Sequence, residues 1–359
     1  MPGPTSSKHP RVAVGMSGGV DSSAAAALLV EQGYDVVGVT AHLWREGSRC
    51  CSLDDVRRAI KVAEALKIPH YVIESVEAFT GMIVHPFISE YEHGRTPSPC
   101  VHCNQVIKFG VLLRDALELG CTHLATGHYA RVEQRPDGFH LLRGKDEQKD
   151  QSYFLHRLFQ DQLRHVLLPL GDRTKADVVE YVKRKGLPVP ASGESQDLCF
   201  VPQDGGYAEF IEKWRPQLKK PGAIVDTSGR EVGRHDGFYH FTIGQREGIG
   251  VAAASRLYVK EIRADTNTVV VGERDDVTRG DCAVEDVHWI SGKAAGEGAR
   301  CSVQLRYRHR GVLSTLSPRA DGTVLIKFDE PQFAVTPGQA AVFYDGDEVL
   351  GGGWIVGNG

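Results

Sequence analysis

The chain has 359 residues, 41% of them hydrophobic and 25% charged, with a formal net charge of −4. That length suffices for two or three domains with their own cores, and the mild negative balance means that a nucleic-acid partner would have to be held by a local basic surface. No run of about 18 apolar residues occurs and the start, MPGPTSSKHP, lacks the apolar core of a signal peptide, so a cytoplasmic protein without a membrane span is expected; eight cysteines are too few for a disulfide scaffold.

From Arg11 to about Leu187 short β-type runs alternate with amphipathic helical runs. A strand reaches Val14 and a helix starts at Asp21; YDVVGVTAHL (34–43) reads as a strand, LDDVRRAIKVAEALK (53–67) as a helix and HYVI (70–73) as a strand. A further helix is expected over Asn104–Leu119, then a strand CTHLAT (121–126) running into GHY. TKADVVEYVKRKG (174–186) reads as a helix with Thr174 as N-cap and Gly186 as stop. This alternation predicts βαβ units and a parallel sheet. After about Gly206 the helical signal fades. The runs HFTIGQ, RLYVKEIRA and NTVVVGE, and later SVQLRYRHR, TVLIKF and QAAVFYDG, are separated by Gly, Asp and Pro and read as strands of one or two small β-barrels.

The stretch GMSGGVDSS (15–23) is a glycine-rich turn between the first strand and the first helix, where backbone N–H groups and the positive end of a helix can hold a phosphate. It lacks the lysine of a Walker A loop and the spacing of GxGxxG. It does match GxSxG, but the oxyanion hole of that nucleophile elbow needs an earlier loop, and too little chain precedes Ser17. A plain glycine turn capped by Asp21 or Ser22 is the bland alternative. The remaining match is SGGxDSS, the signature of ATP pyrophosphatases that cleave between the α- and β-phosphates. An acid in an anion site is intelligible if Asp21 faces Mg²⁺, which favours carboxylates together with substrate phosphates.

Cys100-Val-His-Cys103 lies just after a Pro-containing loop at the start of a helix. A zinc ribbon would need a second CxxC, which the chain lacks, whereas a helix N-terminus lowers a thiol pKa and makes thiolate available at neutral pH. Cys199, in SGESQDLCFV, reads equally as a chemical thiol or as part of a buried Leu-Cys-Phe strand. The vicinal pair Cys50-Cys51 lies near a loop, and Cys121, Cys282 and Cys301 read as core or neutral residues. Between Cys301 and Val312, Arg306, Arg308 and Arg310 alternate with Tyr307 and His309 without an acid; on a strand the arginines share one face, a stripe suited to phosphates, with Tyr307 on the other.

In order along the chain, GMSGGVDSS, GRTPSPCVHCNQVIKFG, LATGHYAR, KDQSYFL, SQDLCFV, FTIGQREGIGV, RYRH, VTPGQAAVFY and GGGWI together resemble the bacterial tRNA-specific 2-thiouridylases, members of the ATP pyrophosphatase superfamily, over nearly the whole length. The resemblance implies an α/β N-terminal domain of the adenine nucleotide alpha hydrolase type, with a parallel sheet, over residues 1–206. A small, mainly β central domain at 207–280 and a tRNA-contacting C-terminal β-barrel at 281–359 would follow. It implies ATP-dependent sulfur transfer to C2 of the wobble uridine, with adenylation of the C2 oxygen, pyrophosphate release, and sulfur delivered from a persulfide on Cys199 with Cys103 as resolving partner and nucleophile. Gly15, Met16, Ser17, Gly18, Gly19, Val20, Asp21 and Ser22, with Leu43 and Gly127, would bind ATP. His128, Lys149, Asp150, Gln151, Arg306, Tyr307 and Gln339 would lie against tRNA, a loop around Pro97–Cys103 admitting the flipped base. Implied partners are the tRNAs for Lys, Glu and Gln and a cysteine desulfurase or sulfur-relay protein as donor, with the enzyme acting as a monomer.

Cys100 departs from part of that family, in which an Asp at this position is thought to act as general acid or base. A thiol can do so if its pKa is lowered. The replacement also leaves three thiols, Cys100, Cys103 and Cys199, as a ligand set able to hold a 4Fe–4S cluster with one iron open. Persulfide and cluster chemistry both fit these residue types, and the persulfide is the preferred reading.

Overall fold

A computed structural model describes residues 10–44, 53–190, 198–202, 204–253 and 255–356. Cys50 and Cys51 lie outside them. The chain forms two compact units, one built from Met1–Ile83, Cys100–Pro202 and Asp347–Val349, the other from Val84–Pro99, Gln203–Gly346 and Leu350–Gly359.

The first unit is a parallel α/β layer structure. Strands β1 (Arg11–Gly15), β2 (Asp35–His42), β3 (His70–Glu74), β4 (His123–Ala125) and the short β7 (Val166–Leu167) form a parallel sheet in the order β3-β2-β1-β4-β7. The order reverses between β1 and β4, so the crevice outside their carboxyl ends is where such a sheet receives a ligand. Helix α1 (Val20–Glu31) follows β1, and its residues Ser22–Leu29 are all buried. The alanine run 24–27 is what lets it pack so closely, against β1 and α2 (Leu53–Leu66) on one side and against Tyr129 and α8 (Lys175–Arg184) on the other. Helix α2 is amphipathic, burying Val56, Ala59, Val62 and Ala63. Helix α8 starts where expected: Thr174 accepts a hydrogen bond from the Asp177 N–H while Asp177 reaches back to the Thr174 N–H, a full capping box.

Three parts of this unit depart from the sequence reading. Strands β5 (Ala130–Arg135) and β6 (Gly138–Arg143) form an antiparallel hairpin that the reading missed, although its turn, RPDG, is ordinary turn chemistry. Helical structure also covers α3 (Val76–Phe79), the π-helical Thr80–Val84 and α4 (His85–Glu92), the chain passing into the second unit at Val84. The helix expected over 104–119 begins earlier, with α5 (Pro99–His102), runs as a π-helix over Cys103–Leu112 and becomes α-helical only in α6 (Leu113–Glu118). The short helix α7 (Gln160–Leu163) completes the unit, and its Gln160 hydrogen-bonds both the N–H and the carbonyl of Phe139 on β6.

In the second unit the helical signal does not end at Gly206: α9 spans Gly206–Trp214, burying Phe210 and Ile211. Strands β8 (Gly222–Val225), β9 (Glu231–His235), β10 (Tyr258–Arg263) and β11 (Thr268–Gly272) form a small sheet in the order β10-β11-β8-β9 around Ile224, Val259, Val269 and Val271. HFTIGQ is not a strand. Gly244 there has φ +86 and its N–H bonds the Val259 carbonyl, so the segment turns instead of extending. Strands β12 (Thr278–Trp289), β13 (Ala299–Gln304), β14 (Val312–Pro318), β15 (Val324–Phe333), β16 (Ala340–Asp345) and β17 (Glu348–Ile355) close a six-stranded barrel, because the long β12 bulges twice and pairs with both β15 and β17. Its core is apolar, with Val303, Leu316, Ile326 and Phe343 fully enclosed and Cys282 and Cys301 among them.

Within this unit the VTPGQ segment clamps the chain at Thr96 and Pro97. The Thr96 N–H donates to the Pro337 carbonyl at 2.9 Å, and the Gln339 amide donates to the carbonyls of Thr96 and Pro97 at 2.9 and 3.2 Å. Gly338 has φ +88, and a Cβ there would stand 2.9 Å from the Thr96 carbonyl oxygen. Gly338→Ala should therefore lower the thermal unfolding temperature of this unit by an amount corresponding to about 1–3 kcal/mol. Gly250→Ala, at φ +74 but with open space around it, should cost less in the same melting experiment.

Candidate active site

Gly15 ends β1, and the next four residues turn the chain into α1. Gly18, at φ +70, has no room for a side chain, since a Cβ would lie 2.6 Å from the Arg58 Cβ and 2.8 Å from the Asp55 carbonyl oxygen. The loop is braced by its own serines: the Ser17 N–H donates to Ser22 Oγ at 3.2 Å, and the Ser22 and Ser23 hydroxyls donate to the Gly19 carbonyl at 3.3 and 2.7 Å. Thr40 holds the other end by donating to the Met16 carbonyl at 2.7 Å. Gly19 is the N-cap of α1 and makes no side-chain cap bond, Ser22 bracing the turn through the Ser17 N–H and the Gly19 carbonyl while the Asp21 carboxylate points elsewhere. The first N–H groups of a buried helix are thereby left for an anion.

Asp21 is not presented to solvent as a bare acid. Both its oxygens accept from Lys175 Nζ at 2.8 Å, and Oδ1 also accepts from the Tyr129 hydroxyl at 2.7 Å. The lysine absent from the loop thus comes from the first turn of α8. Sequence reading missed it, though a signal existed: a cation in the first helical turn opposes the helix dipole and needs another reason to be there. Gly127 lies against the same place, because a Cβ on it would be 2.7 Å from the Asp21 carbonyl carbon and 2.8 Å from the Ser22 nitrogen. Leu43, just past the end of β2, is buried.

The thiols come from two segments of the first unit. Cys100 and Cys103 are three positions apart on the helix that begins at Pro99, hence on one face. Cys199 sits in a turn and not in a strand, with the Val201 N–H bonding the Leu198 carbonyl at 3.2 Å. The turn is anchored by buried Phe200, whose ring meets Phe79 edge-on at 5.6 Å, with Trp44 beyond at 6.4 Å from Phe79. Cys100 and Cys199 lie within electrostatic reach of each other. Burial, chiefly, and then Cys199 push the Cys100 thiol up to about 11, with Lys108 opposing. This is the opposite direction to the one a helix N-terminus alone would impose, and it holds for a residue whose own surface is exposed, the desolvation coming from the groups packed around the sulfur. Among the described residues no three His, Cys, Asp or Glu side chains gather as a metal site. As they stand, the three thiols do not fit an iron–sulfur cluster.

Several residues expected to face RNA are engaged internally. His128 is buried, with Nδ1 2.7 Å from Thr126 Oγ1 and Nε2 3.4 Å from Lys108 Nζ; burial first, and then Lys108, keep its pKa well below the usual range. Asp150 organises its own loop: its carboxylate accepts from the N–H groups of Gly144 and Ser152, the Ser152 hydroxyl and Arg143. Gln151 is tied to the backbone of Tyr129 through both its N–H and its side-chain oxygen, and Lys149 is half-buried. Gln339 braces Thr96 and Pro97, as above. The arginine stripe is also corrected. Strand β13 ends at Gln304, and Arg306–His309 form a turn in which Arg308 has φ +62 and its guanidinium lies 5.4 Å from the Tyr307 ring centroid. Arg306, Arg308 and Arg310 are all exposed, but on a turn and not on one strand face.

The raised Cys100 pKa has a direct consequence. Its alkylation by iodoacetamide, followed by peptide mass spectrometry, should be slow at pH 7 and quicken about tenfold per pH unit toward the value near 11. A plateau reached below pH 8 would contradict the burial account.

Family models match in three consecutive segments: a tRNA methyl transferase HUP domain over residues 10–203, a tRNA methyl transferase PRC-barrel domain over 208–273 and an aminomethyltransferase β-barrel domain over 279–355. The tRNA-specific 2-thiouridylase MnmA of Geobacter metallireducens is 47% identical over 362 residues, covering 98% of both chains. That of Geotalea uraniireducens is 46% identical over 97% of this chain and 95% of its own, and that of Magnetococcus marinus 47% identical over 96% and 99%. With this identity along almost the entire length, and with the uncapped loop after β1 and the three thiols in one unit, the chain belongs to the tRNA-specific 2-thiouridylase family.

Proposed function

We propose that this protein transfers sulfur to C2 of the wobble uridine of tRNA in an ATP-dependent reaction, acting on the tRNAs for Lys, Glu and Gln. The observation that carries the reading is that one compact unit holds both an uncapped anion loop and the Cys100, Cys103 and Cys199 thiols. Sulfur transfer to a carbonyl carbon needs both: a uracil oxygen is a poor leaving group until it is adenylated, and sulfur must then arrive as a nucleophile. Two matching models carry a methyl transferase description, but the near full-length relatives are called thiouridylases, and methyl transfer would give these thiols no task.

In this reading Gly15 to Ser22 bind the ATP phosphates, with Leu43 and Gly127 bordering the nucleotide. Asp21 and Lys175 act as a pair. When Mg²⁺ is bound it screens the phosphates; one carboxylate plus substrate oxygens is a sufficient ligand set for it, and Asp21 can serve once Lys175 turns to the phosphates. Pyrophosphate leaves as the uracil C2 oxygen takes the adenylyl group. Cys199 carries the persulfide, Cys103 breaks it, and Cys100, protonated at neutral pH, stands beside them as a proton donor. Residues 1–206 form the catalytic domain, 207–280 the central domain and 281–359 the RNA-contacting barrel, with Arg306 and Tyr307 on an exposed turn. A cysteine desulfurase or relay protein supplies sulfur to a monomeric, cytoplasmic enzyme.

The test is incubation with ATP, Mg²⁺, a cysteine desulfurase with cysteine, and unmodified tRNA, read by nucleoside mass spectrometry and by pyrophosphate release. Formation of 2-thiouridine is expected, and its absence overturns the reading. Cys199→Ser should abolish the thiolated product while pyrophosphate release persists. Asp21→Ala and Lys175→Met should each slow pyrophosphate release roughly tenfold or more. Phe200→Ala, which removes the anchor under Cys199, should cost about 3–5 kcal/mol of stability and reduce thiolation more than adenylation.

A further inference from the structure

Lys108 is a half-buried cation without a counter-ion: among the described residues no carboxylate pairs with it, and its hydrogen bond goes to the Nε2 of His128 at 3.4 Å. A half-buried ammonium left unpaired is costly unless something anionic comes to it. His128 cannot be that partner. It is kept neutral by burial, and since an ammonium can only donate, Nε2 is the acceptor toward Lys108 and the ring proton sits on Nδ1, 2.7 Å from Thr126 Oγ1. Thr126, at the end of β4, is itself buried, so the chain of contacts Thr126 to His128 to Lys108 is fixed from the sheet outward.

Lys108 also lies within electrostatic reach of the thiol site. Its charge acts on Cys100, and so does that of Cys199, which brings the three groups into one neighbourhood. The π-helix over Cys103–Leu112 contributes the register. In a helix with i→i+5 bonding, residues five apart stand near one face, whereas in an α-helix five positions turn a side chain about 140° away. Lys108 is five positions from Cys103.

We propose that Lys108 is the electrostatic residue of sulfur transfer, holding the sulfur anion that forms at the thiol site, and that His128 is its positioning residue. This rests on the persulfide reading above. In the step concerned the Cys103 thiolate attacks the inner sulfur of the Cys199 persulfide. A Cys103–Cys199 bond forms, the bond to the terminal sulfur breaks, and that sulfur departs with the electron pair as hydrosulfide. It then adds to C2 of the adenylated uracil and AMP leaves. The anion is conserved throughout, passing from thiolate to hydrosulfide to AMP, and no external oxidant or reductant enters a single turnover.

The experiment is single-turnover thiolation by enzyme preloaded with persulfide, with pyrophosphate release measured in the same reactions. Lys108→Gln should lower the thiolation rate by about 10²-fold with pyrophosphate release and the tRNA concentration dependence unchanged, while Lys108→Arg should recover it to within about tenfold. His128→Ala should fall between the two. If Lys108→Gln loses pyrophosphate release in proportion, Lys108 belongs to the nucleotide and the proposal is overturned; it is equally overturned if neither rate changes, or if Lys108→Arg is no better than Lys108→Gln. Wild-type enzyme that fails to thiolate in the same assay would instead overturn the function on which the proposal rests.

Discussion

Helix α1 buries alanine at four consecutive positions, 24–27, between the sheet and its neighbouring helices, and its first turn has no side-chain cap. A helix so enclosed cannot slide or tilt to find other partners for its leading N–H groups. The loop before it is held just as tightly, by Gly18 pressed on α2, by Gly127 pressed on Asp21 and by the serine hydroxyls turned back on Gly19. The anion site is therefore preorganised by packing. The Asp21–Lys175 pair adds a charge that can be redirected, because an ammonium two hydrogen bonds from a carboxylate can exchange that partner for a phosphate without crossing the site.

The thiol site follows the opposite logic. There the surroundings disfavour charge: Cys100 is pushed up by burial, His128 is kept neutral, and Lys108 alone carries a charge that no carboxylate of the described structure answers. An environment of this kind keeps a thiol protonated until reaction and makes one fixed cation count for more than it would in water.

Some of what the sequence reading missed was legible. RPDG between two alternating runs is a hairpin signal, and a lysine directly after an N-cap threonine is an oddity that points away from the helix. The rest was not. A π-helix has no composition of its own, so Cys103–Leu112 read as an ordinary helix, and the alternation in RYRHR looked like a strand although the chain turns there through Arg308 at φ +62. HFTIGQ failed likewise, because one glycine with positive φ outweighs the β-propensity of its neighbours. Asp150, Gln151, His128 and Gln339 were recognisable as unusual polar residues, yet their partners, drawn from Gly144, Tyr129, Lys108 and Thr96, come from other parts of the chain.

By itself the sequence determined the alternation of strands and helices, the class of the loop after β1 and the identity of the thiols, since these depend on local periodicity, on glycine and serine at fixed spacing, and on residue type. Only the tertiary structure decided that Asp21 faces Lys175, that Cys100 is a high-pKa thiol and that Lys108 meets His128. Those outcomes depend on which distant segments pack together and on how much water they exclude, and neither burial nor the pairing of charges far apart in the chain is written in any local stretch of residues.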